Sequence, residues 1–141
     1  MKKTGFIYHP IYLKHDTEPH PENPGRLKSI LRKLENSEVN DSLIRIEPRL
    51  ASVEEISTVH DIGYTELIRQ KIEEGARSLD MDTRVGPESY NSALMSAGAG
   101  LVAIDLILNG TCDNIFCFIE SLSISAPPFL SPLYNTLFVF C

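Results

Sequence analysis

Apolar residues gather in short runs along the first 119 positions, and their spacing alternates between strand-like and helical. Gly5 to His9 (GFIYH) is a compact apolar run that predicts a first strand. The polar, proline-rich stretch KHDTEPHPENPG that follows predicts an ordered loop. Asn23-Pro24 predicts a helix start, with Asn as cap and Pro at a position whose N–H would have no partner. Leu27, Ile30, Leu31 and Leu34 then form one apolar stripe at helical spacing. Leu43 to Ile46 predicts a second strand. Ser52-Val-Glu-Glu55 has the form of a capping box, and Asp61 can cap a helix with Tyr64, Leu67, Ile68 and Ile72 on one face. Asp80 to Pro87 reads as a loop. From about Pro87 to Leu108 the pattern predicts a long helix, with Asp105 the single charge after Ala93, so that burial on several sides is expected. Gly98 and Gly100 would let another backbone come close, and Gly110 would stop the helix. Asn114 to Ile119 (NIFCFI) predicts a buried strand. Strands alternating with helices predict an α/β domain, with a parallel sheet covered on its faces.

The pattern breaks after Glu120. SLSISAPPFLSPLYNTLFVFC carries no charge, and Pro127, Pro128 and Pro132 oppose either a helix or a central strand. Residues 1–119 and 120–141 are therefore read as two segments. Three origins fit the second one. It could be a strand and loop packed on a partner surface, or a membrane tail anchor, against which its prolines count. It could also be foreign to the domain, read from another frame, an intron or a truncated gene. Its Ser, Leu, Pro and Phe share pyrimidine-rich codons, which suits that last origin.

Composition narrows the function classes. The chain has 141 residues, enough for one domain, and 13 Lys plus Arg against 19 Asp plus Glu give a net charge of −6. Such a chain is a poor partner for nucleic acid, whose affinity rests on Lys and Arg releasing counterions. No membrane partner is expected. The start, MKKTGFIYHPIYLKHD, lacks the apolar run of a signal peptide, so a cytoplasmic protein is expected. Cys112, Cys117 and Cys141 are odd in number and irregular in spacing, which argues against a disulfide framework or a zinc knuckle.

Candidate chemistry is sparse. His15, Asp16, Glu18, His20 and Glu22 share one loop and are types that suit zinc or manganese, but equally those of a solvated loop. His60-Asp61 could be an acid–base pair or a packed histidine beside a helix cap. Asp80 and Asp82 flank Met81 and could bind a cation, hydrogen-bond a peptide N–H or shape a turn. There is no P-loop, dinucleotide fingerprint, G-x-S-x-G or H-E-x-x-H.

The loops carry a resemblance. His20-Pro-Glu-Asn-Pro-Gly-Arg-Leu27 resembles the H-P-E-x-P-x-R-L signature of the zinc-dependent histone deacetylases, acetoin-utilisation deacetylases and acetylpolyamine amidohydrolases. Val59-His-Asp-Ile-Gly-Tyr64 is similar to that family's V/I-H-x-x-x-Y segment. Leu79-Asp-Met-Asp-Thr83, with Ser89-Tyr90 and Ala97-Gly98-Ala99, resembles its D-x-D-T…S-Y…A-A-G-A stretch. The resemblance spans about residues 5 to 119, the first third of the family domain. It implies an incomplete three-layer α/β/α (arginase/deacetylase-like) fold around a parallel sheet. It implies that Arg26 lines an internal cavity and that Asp82, at the pocket rim, accepts hydrogen bonds from the substrate backbone. Where the family continues with R-P-P-G-H-H-A, this chain has Glu120-Ser-Leu-Ser-Ile-Ser-Ala-Pro-Pro128. The family's histidine pair, its zinc-binding D-x-H and second Asp, and its carbonyl-polarising Tyr have no counterpart. No His follows His60. The resemblance thus implies zinc and an acetylated lysine or amine substrate for the complete family domain. For this chain it implies no catalytic or metal residue and no cofactor, and hence an inactive product. The alternative is a non-catalytic binding product. In either case a half-built parallel sheet and a charge-free tail predict aggregation or dependence on a partner.

Overall fold

The first strand is the centre of the sheet. In the computed structural model, which describes residues 2–15, 24–81, 83–119 and 137–140, β1 (Thr4–Ile7) pairs in parallel with β2 (Leu43–Ile46) on one side and β3 (Asn114–Phe118) on the other. A fourth strand, β4 (Leu137–Phe140), pairs in parallel with β3, giving the order β2-β1-β3-β4. β4 begins after the last proline, Pro132, so no proline interrupts its ladder. It pairs with this chain's own β3, where sequence reading left a partner surface open.

Alternation along the strands sorts the core. Ile7, Ile115 and Cys117 are fully buried and point to one face of the sheet. Phe6, Phe116 and Phe118 point to the other, their ring centroids 5.9–6.1 Å apart. The Arg45 guanidinium caps that stack, 4.6 Å from the Phe6 ring centre.

Four α-helices follow the expected order: α1 (Pro24–Glu35), α2 (Val53–Ser57), α3 (Ile62–Glu73) and α4 (Ser89–Leu108). The Asn23 cap lies outside the described residues. In α1, Leu27 is buried and Leu31 and Leu34 pack on the same core, while Ile30 is 41% exposed, so the stripe is narrower than its spacing suggests. The sequence GFIYH is split. Its last two residues leave the sheet, and Pro10–Lys14, just ahead of and overlapping the start of the expected loop, forms a 3-10 turn that buries Tyr12.

α4 packs on β3 and on that 3-10 turn, and it also meets α3 and β4. Its buried side carries Ser92, Met95, Ser96, Ala99 and Ala103. It is long and apolar enough to cross a membrane by length and composition, yet here it works as a core helix buried on one side only, not several. Gly98 is needed where it stands: a Cβ there would lie 1.8 Å from the carbonyl oxygen of Arg49. The adjacent Ala51 N–H donates to the Leu94 carbonyl at 3.0 Å, so the segment before α2 is laced to α4. Gly100 has open space around it and no such role. Gly110 ends the helix region with φ +75°.

A second, smaller apolar cluster lies apart from the sheet. Ile68 and Ile72 of α3 and Val85 are its buried members, with Ala76, Leu79, Tyr90 and Ala93 packed against them. Tyr64 and Leu67, expected on the same buried face of α3, are about half exposed.

Candidate functional site

The segment between α3 and α4 is a short hairpin whose geometry is set by its own polar groups. Val85 N–H donates to the Arg77 carbonyl at 3.1 Å, Ser78 and Arg84 form an antiparallel bridge, and Leu79 N–H donates to the Thr83 carbonyl at 2.9 Å. At the tip the Asp80 carboxylate uses both oxygens on Thr83. Oδ1 accepts the backbone N–H at 2.7 Å and Oδ2 accepts the hydroxyl at 2.9 Å. The Ser78 hydroxyl donates to the carbonyls of Asp80 and Thr83. This is the turn chemistry that Asp side chains favour. It leaves Met81 at the apex with 95% of its surface in solvent. Asp82, singled out from sequence as a substrate-binding residue, lies outside the described residues.

The root of the hairpin is buried and polar. Gly86 N–H donates to Ser89 Oγ at 2.8 Å, and Ser89 N–H donates to the Gly86 carbonyl at 3.1 Å. This reciprocal pair resembles a capping box ahead of α4. The same Ser89 hydroxyl lies 2.7 Å from Nδ1 of His15, and both side chains are buried. His15, weighed from sequence as a metal ligand, is thus a buried hydrogen-bonding group. Asp16, Glu18, His20 and Glu22 lie outside the described residues.

Tyr12, in the 3-10 turn that His15 ends, has no exposed surface. Its hydroxyl meets no hydrogen-bond geometry among the described residues, although Ser96 is close enough to act on it. Burial pushes the phenol well above its ordinary range, the Ser96 hydroxyl pulls it back in part, and Cys117 adds a smaller push upward. Cys117 itself is pushed up to about 11 by burial, so it is a thiol at neutral pH.

Arg26 stands exposed in the first turn of α1. A shallow groove one turn further along is lined by Ser29, Arg32, Lys33 and Asn36. Asp61 is a helix cap, its Oδ1 accepting Tyr64 N–H at 2.9 Å, and His60 beside it is half-buried. Among the described residues no three or more His, Cys, Asp or Glu side chains stand together in a way that could hold a metal ion. The described part of the chain therefore does not fit a zinc site.

Sequence reading found Asp80 and the capping residues but not the His15–Ser89 contact. Its partners are 74 residues apart, and no local pattern joins them. The Gly86-Pro-Glu-Ser89 spacing could have signalled the root turn.

Comparison with known proteins covers most of the chain. The model of the histone deacetylase domain matches residues 20–121. The chain belongs to the histone deacetylase family. A probable deacetylase of Archaeoglobus fulgidus is 31% identical over 130 residues, covering 90% of this chain and 36% of that protein. A probable deacetylase of Methanothermobacter thermautotrophicus is 32% identical over 135 residues, covering 96% and 38%. The crystal structure of the HDA15 HD domain superposes with a TM-score of 0.78 at 22% identity, over 84% of this chain and 35% of that one. That likeness shows an α/β deacetylase fold. The chain spans little more than a third of the length of these relatives.

Proposed function

We propose that the protein carries the substrate-side hairpin of a deacetylase domain and does not hydrolyse acetylated amines by itself. The observation that supports this reading is the 77–86 hairpin. It carries the residues that resemble the family's D-x-D-T stretch, and it is fixed by polar bonds at both tip and root. In this reading Asp82 accepts hydrogen bonds from the backbone of a substrate bearing acetyl-lysine or another acetylated amine. Arg26 lines a cavity completed by the rest of the domain. Zinc belongs to that complete domain, as the family resemblance implies. The reading involves neither nucleic acid nor membrane. It places the protein in the cytoplasm, which suits the free, buried thiols of Cys112 and Cys117.

The test is turnover of acetyl-lysine peptides by the purified chain, with its metal content measured after dialysis against zinc. No turnover and no retained zinc are expected, because oxyanion stabilisation and water activation are both lacking. Turnover abolished by a hydroxamate chelator would overturn the reading. Genomic DNA beyond codon 119 supplies the companion test: an alternative frame or exon encoding R-P-P-G-H-H and D-x-H would tie the chain to a complete enzyme.

A second reading, a binding product that needs a partner, is favoured by the outer side of α4. There Leu101 and Ile104 are only half-buried, and Leu108 is 77% exposed. Size-exclusion chromatography of the untagged chain checks it, with self-association expected and a monodisperse monomer as the contrary result.

A further inference from the structure

Three parts of the chain distant in sequence meet at one hydroxyl. Ser89 Oγ accepts from Gly86 N–H and lies 2.7 Å from His15 Nδ1. Gly86 closes the hairpin through its neighbour Val85, whose N–H donates to Arg77 and whose side chain is buried in the smaller apolar cluster. His15 ends the 3-10 turn Pro10–Lys14, which packs on both α1 and α4. A buried hydroxyl that accepts one hydrogen bond and makes a second is held in one rotamer. Removing either partner leaves the other polar group to be satisfied in a dry site.

We propose that His15 is a positioning residue: through Ser89 it couples the 3-10 turn Pro10–Lys14, which packs on α1 and α4, to the 77–86 hairpin that faces the substrate. Hydrophobic contact alone does not hold this junction. The root pair is polar, and Tyr12 of the turn and Val85 of the hairpin belong to two separate apolar clusters. The imidazole therefore sets where the hairpin leaves the body of the protein, and Asp80 sets the shape of its tip. Together they make the hairpin a rigid arm with an independent root.

The proposal rests on the reading of this hairpin as the substrate side. Its test uses no substrate, so the two can fail separately. Amide hydrogen exchange, resolved by residue, is compared for the full chain and for His15→Gln, His15→Asn and Ser89→Ala. Asn can place its amide where Nδ1 stands, whereas Gln reaches past it. His15→Gln and Ser89→Ala should speed exchange at Leu79, Val85 and Gly86 by about five-fold or more, the effect of one net hydrogen bond. Exchange in β1 and β3 should change much less, and His15→Asn should restore slow exchange in the hairpin. Wild-type exchange at Val85 and Gly86 in His15→Gln would overturn the proposal. So would a rise there that merely matches β1 and β3, since His15 would then be an ordinary core residue. If His15→Gln fails to fold, His15→Ala takes its place: fast exchange at Leu79 and Val85 in His15→Ala with slow exchange in His15→Asn supports the coupling, and equal exchange in both refutes it.

Discussion

The sheet and the hairpin are held together by different forces. Around β1 and β3 nearly every inward side chain is apolar and fully covered, and Ile7, Ile115, Cys117, Ala99 and Ala103 share one cluster. Each large aliphatic side chain buried there contributes roughly 1.5–3 kcal/mol. The hairpin has a single buried apolar anchor, Val85, and its shape comes from the Asp80–Thr83 clamp at the tip and the Gly86–Ser89–His15 contact at the root. Burial is strong and non-directional, so it secures the fold. Hydrogen bonds contribute less net stability but fix direction, so they place a loop.

The strongest way to break this comparison is to carve the same cavity in both regions. Ile7→Ala should cost about 4 kcal/mol, and Ile72→Ala in the smaller cluster nearer 2, because a site close to solvent relaxes more. Urea unfolding of both variants measures the difference. Next comes Gly98→Ala. Alanine favours a helix over glycine by about 1 kcal/mol, but its methyl would meet the Arg49 carbonyl, a backbone atom that cannot turn aside. Overpacking should win, with a net loss of about 1–3 kcal/mol and a lowered Tm.

Asp80→Ala should lower global stability by about 1 kcal/mol or less. Its main effect should be faster amide exchange at Thr83, with β1 unchanged. The smallest effect concerns the cap of α2. Hydrogen bonds from Arg49 first, and then from the Ser52 backbone, hold the Glu55 carboxyl down at about 2. A carboxyl lowered in the folded state stabilises it fully above its ordinary value of 4.5, and that contribution fades as pH falls from there toward 2. Glu55→Gln should therefore lower stability slightly at neutral pH and leave it nearly unchanged near pH 2, which flattens the acid limb; the effect is small because Glu55 is exposed to screening.

Most of the architecture was legible because its causes are local. The α1 stripe, the Ser52–Glu55 box, the Asp61 cap and the apolar strands are all set by neighbours a few residues away. Burial around α4 was less legible. An all-apolar helix reads as enclosed, yet its outer side is only half-covered, since pattern cannot count the elements available to cover it. Gly98 and Gly100 look alike in sequence, and only the approach of Arg49 separates them. Tyr12 sits in a stretch to which sequence assigned no element, because the burial of a 3-10 turn depends on α4, which comes late in the chain. In the candidate site Asp80 was readable as turn chemistry. The His15–Ser89 contact needed the fold, as does every pairing between distant loops.

The separation of the two regions is tested most directly by hydrogen exchange of the wild-type chain across low concentrations of urea. Amides of β1 and β3 should exchange only through global unfolding, with protection falling steeply as urea rises. Leu79, Val85 and Gly86 should exchange through a local opening of lower free energy that is nearly insensitive to urea. A single free energy and a single urea dependence shared by strands and hairpin would contradict the account.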